Sequence, residues 1–123
     1  MPSSDKREEG QAGEDMAVRA LKKRGYRILE RNFTSRLGEI DIVAEEKGCL
    51  VFVEVKKRNT DRFGGAMYAI DKRKKRHMVR SALCYMKAHN AFGRPARFDV
   101  VGIDGDTLKI VKNAFSIGDD DGR

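Results

Sequence analysis

The chain has 123 residues, of which 40% are hydrophobic and 37% charged, and its formal net charge is +7. That length suits one domain with one hydrophobic core, and that balance suits a globular chain with a heavily charged surface. No apolar run approaches the roughly 20 residues of a membrane span, the N-terminus has no apolar segment of the secretory kind, and Cys49 and Cys84 form no CxxC pair, so a cytoplasmic protein without disulfides is expected.

Residues 1–10 are polar and are expected to be disordered, with a single domain over 11–116 and a flexible acidic tail over 117–123. A helix is predicted from Glu14 to Lys23, with Met16, Ala17, Ala20 and Leu21 on its apolar face. Gly25 is placed to end it. The segment YRILERNF alternates as a first strand, and TSRLG reads as a turn. Two strands follow, EIDIVAE and CLVFVEVKKR, joined around Lys47-Gly48, where a tight hairpin needs positive φ. Val51, Val53 and Val55 line one face of the second strand, and Leu50 and Phe52 the other. A sheet that is apolar on both faces is covered on both, as in a layered α/β domain.

Beyond the loop NTDRFGG, a helix is predicted from about Ala66 to Lys87, with a stripe of Met78, Val79, Ala82, Leu83 and Met86. RFDVVGI and TLKIVKN read as two final strands around DGD. The order is helix, three strands, helix, two strands. A zinc site on Cys49, His77, Cys84 and His89 has no supporting spacing, and both histidines are expected on a solvated helix face.

Charge is distributed unevenly. Residues 55–80 hold ten basic and two acidic side chains, net +8, so the remainder nets −1. Such a patch is the footprint of a polyanion partner, or simply a solvated helix face. Lys72, Lys74, Lys75 and Arg76, together with Arg36, Lys57 and Arg58, are the candidate nucleic-acid contacts.

The hairpin itself carries the chemistry. Turning at Lys47-Gly48 sets Glu46 opposite Cys49, and counting back sets Asp41 opposite Glu54, with Cβ atoms roughly 4.5–5.5 Å apart. Lys56 shares the face of Glu54. Two opposed carboxylates are resolved by a proton, a lysine or a divalent cation. Mg²⁺ or Mn²⁺ suits such oxygen ligands and suits phosphate chemistry. The competing arrangement is an ordinary ion pair, Glu54 or Glu39 with Lys56. Spacing alone leaves the two level, and the basic patch favours the metal.

Asp41 followed by Glu54-Val55-Lys56 resembles the PD-(D/E)xK nuclease signature, with Ile40 where the proline stands. The resemblance implies Asp41, Glu54 and the Val55 carbonyl as metal ligands and Lys56 as the residue that assists the attacking water. More closely, GEDMAVRALKKRGYRILERNF, GEIDIVA, LVFVEVKKR, FGGA and RFDVV resemble the YraN family, over roughly Gly13 to Phe115. The implied fold is the restriction endonuclease-like three-layer α/β/α arrangement, a mixed sheet with an αβββαβ core, similar to archaeal Holliday-junction resolvases. It implies Glu14 as a further acidic ligand, where the residues alone read as an acid in a first helical turn. Lys74 matches a recurrent helix lysine, and Arg97 and Asp99 read as structural pairing. The expected function is a Mg²⁺-dependent deoxyribonuclease acting on DNA, including branched or structured DNA, with a homodimer as one arrangement. The alternatives are a non-catalytic nucleic-acid-binding module and an interaction protein with a vestigial site.

Overall fold

The computed structural model describes residues 2–58 and 70–116, with side chains described from Gln11 and again except at Arg58. It is a mixed α/β fold. Helix α1 spans Pro2–Lys23 and is followed by strands β1 (Arg27–Ser35), β2 (Gly38–Glu46) and β3 (Cys49–Arg58). Helix α2 (Lys72–Ala88) leads into β4 (Ala96–Asp104) and β5 (Thr107–Phe115). The five strands lie in the order β1-β2-β3-β4-β5. All neighbours are antiparallel except β3 and β4. Parallel neighbours need a crossover, and the chain between them carries α2.

Helix α1 begins well before the expected Glu14, at Pro2. Proline suits a first helical position, and the Lys, Arg and Glu that follow are good helix formers. Its end is as expected. Gly25 adopts φ 92, Tyr26 N–H donates to Leu21 C=O and Gly25 N–H to Lys22 C=O, both at 3.0 Å, which is the Schellman pattern.

Helix α2 starts at Lys72, not Ala66, because Asp71 caps it. The Asp71 backbone is extended (φ −69, ψ 164) and its carboxylate accepts from Lys74 N–H at 2.8 Å. Such an N-cap satisfies one of the helix's unpaired donors. The rest of the predicted first turns, and the FGGA segment, lie outside the described residues. Leu83 belongs to the solvent face at 40% exposure, whereas Ser81 and Tyr85 are buried. His77 is half-buried and only His89 is exposed.

The hairpin turns as predicted, with Lys47 at φ 51 and Gly48 at φ 83. Two consecutive positive φ values match the twist of the flanking strands. The β2–β3 ladder runs from Glu46↔Cys49 to Ile42↔Val53. It therefore has the expected register.

The sheet separates two cores. Leu50, Phe52, Val43, Phe98 and Val100 pack with Met78, Val79, Ala82, Tyr85 and Met86 of α2. Val51, Val53, Ala44, Val101 and Ile103 pack with Ala17, Val18 and Leu21 of α1. Among the described residues, no helix is long and apolar enough to cross a membrane.

Candidate functional site

The site lies where β2 and β3 stop pairing. Strict alternation would put Ile40 and Ile42 on one face. Instead Ile40 joins the α2 core and Ile42 the α1 core. The neighbouring strand changes face too, at Asn32, which adopts φ 54. Arg31 reaches α1, while Phe33 packs edge-on against Tyr85 of α2, centroids 5.3 Å apart. Asp41 occupies this crossover, one residue past the last β2–β3 pair. Its carboxylate accepts the Val55 N–H at 2.8 Å, standing in for a strand carbonyl.

Glu54 continues the Leu50–Phe52 alternation toward α2, with a side chain only 14% exposed. Its carboxyl is pushed up to about 8, first by burial and then by the Asp41 charge. Lys74 opposes this shift, with its Nζ 3.5 Å from Glu54 Oε1. That separation makes an ion pair but falls short of a good hydrogen bond. Glu54 Oε1 is accordingly a buried oxygen without a hydrogen-bond partner among the described residues.

The expected opposition falls one pair beyond the end of the β2–β3 ladder; the two acids are near enough to interact electrostatically, but they do not stand on one shared face. Glu54 looks toward α2. Asp41 lines a cleft of about 190 Å³ on the α1 side with Gly13, Glu14, Val55 and Lys57. Gly13 packs against this cleft, and a Cβ there would lie 3.3 Å from Lys57 Cδ, so the lysine would have to shift slightly.

Glu14 reaches this cleft from α1. Burial, then the Asp41 charge, raises its carboxyl above the ordinary range. It accepts from Asn32 Nδ2 at 3.1 Å and Arg31 Nη2 at 3.4 Å. Among the described residues no three acids, histidines or cysteines are grouped to hold a metal ion. The donor set that fits a cation is narrower: the Asp41–Glu54 pair, with its unsatisfied buried oxygen. Mg²⁺ held by one or two carboxylates, keeping several waters, needs no more than that.

Lys56 stands two residues past Glu54, half-buried and in register with Gly102. Lys57 and Arg36 are exposed, the latter in the β1–β2 turn. Arg58 ends β3 in register with Asp104. The run from Lys72 to Arg76 does not act as one patch. Lys74 turns inward to Glu54, and Lys75 lies over the Phe115 ring at 5.6 Å, while Lys72, Arg73 and Arg76 face solvent. Sequence spacing had a signal for this, because Lys74 precedes Met78 and Ala82 by whole helical steps of four. Arg31 and Asn32, which hold Glu14, had no comparable signal.

Arg97 and Asp99 are structural, as expected. Asp99 is fully buried. It accepts from Tyr26 Oη at 2.7 Å, Arg97 Nε at 3.0 Å and Asn113 N–H at 2.9 Å. Arg97 also holds Glu46, which Lys112 neutralises from β5.

The profile of the uncharacterised protein family UPF0102 matches residues 13–103. A UPF0102 protein of Persephonella marina is 43% identical over 108 residues, 88% of this chain and 93% of that one. One from Caldicellulosiruptor saccharolyticus is 45% identical over 117 residues, 90% of this chain and 99% of its own. One from Myxococcus xanthus is 40% identical over 119 residues, 94% of each chain. The matched segment contains α1 from Gly13, the whole Asp41–Glu54 hairpin, α2 and most of β4, and the chain belongs to the UPF0102 (YraN) family.

Proposed function

We propose that this protein is a metal-dependent phosphodiesterase of the restriction endonuclease-like kind, cutting DNA at the Asp41–Glu54 pair. One observation carries this reading. A buried carboxyl lies close enough to a second carboxylate to feel its charge, and its Oε1, without a hydrogen-bond partner among the described residues, has the Lys74 ammonium 3.5 Å away. Burying two like charges together is costly to a fold, and Val or Ile would pack there better. A catalytic role accounts for an arrangement that packing alone would not favour.

Asp41, Glu54 and the Val55 carbonyl would hold Mg²⁺ or Mn²⁺, with Glu14 in reach of the same cleft. Bound there, the ion would polarise a phosphate and lower the pKa of a coordinated water. Lys56 would orient the water and screen charge building on the phosphoryl oxygens. Water attacks phosphorus in line: one P–O bond forms and the opposite one breaks. The water gives up a proton to solvent, and the departing oxygen gains one. Arg36, Lys57 and Arg58 would fix the strand by its phosphates, independently of base sequence.

A second reading has its own support. No third acid is grouped with the pair among the described residues, and Lys74 already forms an ion pair with Glu54. A non-catalytic DNA-binding module fits those facts. A cleavage screen over linear, flapped and four-way DNA, with Mg²⁺ or Mn²⁺ and with Glu54→Gln as control, separates the two. Nuclease activity requires divalent-dependent cutting by the wild type and none by the variant, with binding retained in both. Binding without cutting on every substrate leaves the module, and cutting that survives Glu54→Gln removes this site from the chemistry.

A further inference from the structure

Helix α2 has a second ordered set of cations, on the side away from the sheet. Arg73, Arg76, Arg80 and Lys87 are all exposed. Their spacing follows alternating helical steps, with Leu83 filling the remaining place, so they form one row along the helix. From Arg73 to Lys87 the row extends about 21 Å. Among the described residues none of the four pairs with an acid, and α2 has no acidic residue in its first turn. Cations at a helix N-terminus oppose the helix dipole. Folding is therefore not what favours Arg73 and its neighbours there.

The row starts beside the site. Arg73 adjoins Lys74, whose ammonium reaches Glu54, and the helix then leads away. We infer that the solvent row Arg73–Arg76–Arg80–Lys87 is a docking rail for the phosphate backbone of a DNA duplex, holding about six base-pair steps to one side of the Asp41–Glu54 site. This deepens the proposed function by naming a duplex arm as the substrate feature recognised. A single strand fits the row less well. Sites for single strands stack bases on aromatic side chains, and α2's one aromatic, Tyr85, is buried. Leu83 offers no stacking surface. The row contacts backbone only, so it reads shape and charge rather than sequence.

The test is duplex binding in EDTA, where no cutting interferes, measured by fluorescence anisotropy across about 50–200 mM salt. Changing all four cations to Gln on α2 is expected to lower the slope of log K against log salt by about 3.6. A matched variant at the end of α1, with Arg19, Lys22 and Lys23 and the adjoining turn residue Arg24 changed to Gln, removes the same charge and is expected to leave the slope nearly unchanged. Circular dichroism checks folding. Should the fourfold α2 variant fail to fold, Arg80→Gln with Lys87→Gln is expected to lower the slope by about 1.8. Equal slopes in wild type and α2 variant overturn the rail. So does an equal fall in the α1 variant, which would mean net charge alone matters. Binding of the wild type to phosphatidylglycerol vesicles but not to duplex would assign the row to a membrane surface and overturn it as well. Because the experiment omits metal, the rail stands or falls separately from cleavage at Glu54.

Discussion

Glu54→Gln offers the sharpest thermodynamic check on the site. In the folded protein the Glu54 carboxyl is pushed up to about 8 from an ordinary value of 4.5, chiefly by burial and secondarily by the Asp41 charge. Between those values the native state keeps a proton that the unfolded chain has lost. Unfolding therefore becomes easier as pH rises. The contribution is complete below the unfolded value and disappears as pH passes the folded one. Each pH unit of the interval corresponds to about 1.36 kcal/mol, so the whole effect reaches up to about 5 kcal/mol. Glutamine resembles the protonated acid in shape and cannot ionise. Relative to wild type, Glu54→Gln is thus expected to gain stability steadily from about pH 5 to about pH 8 and to level off above. Urea unfolding of both proteins at each pH unit measures the difference, and groups titrating identically in the two cancel. A flat difference across that range would show that Glu54 ionises normally in the fold. The case for a desolvated carboxylate pair would then be lost.

Three further outcomes are expected. Lys74→Met should destabilise by about 1–2 kcal/mol at about pH 9 and hardly at all near pH 5, where Glu54 is neutral. The Lys74 side chain is 41% exposed, so the loss stays below that of a fully buried pair; pH-resolved urea melts report it. Asp71→Ala removes the α2 cap and should cost about 1 kcal/mol, read as a lower melting temperature. Asp99→Ala leaves Arg97 and Tyr26 without their buried partner and should cost about 3–5 kcal/mol or prevent folding, as seen by near-UV circular dichroism.

The hairpin was readable in the sequence because two independent signals agreed. Lys47-Gly48 fixed the turn, and the turn fixed the register on which Asp41 and Glu54 meet. The two-sided apolar pattern of β3 likewise foretold a layer on each face. The crossover at Asp41 was not readable. It depends on a paired irregularity with Asn32, a residue whose left-handed backbone has no pattern signature of its own. The division of the basic run was hidden for another reason. Composition counts Lys72 to Arg76 as one patch, whereas helical periodicity sends Lys74 inward and Arg73 and Arg76 outward, and that phase depends on where Asp71 starts the helix. The cap in turn was obscured because five apolar residues, Ala66 to Ile70, run into it without a sequence break.

Asp41 and Asp99 perform the same service for the backbone. Each lends a carboxylate oxygen to an amide left over where a strand pairing fails: Val55 N–H for one and Asn113 N–H for the other. A neutral acceptor would serve either amide. At Asp99 the negative charge is consumed by Arg97 beside it, so scaffold and charge are one requirement. At Asp41 the neighbouring acids Glu54 and Glu14 both feel its charge, and Lys57 lines the same cleft. There the sheet asks only for an oxygen, so the negative charge is a requirement separate from the scaffold.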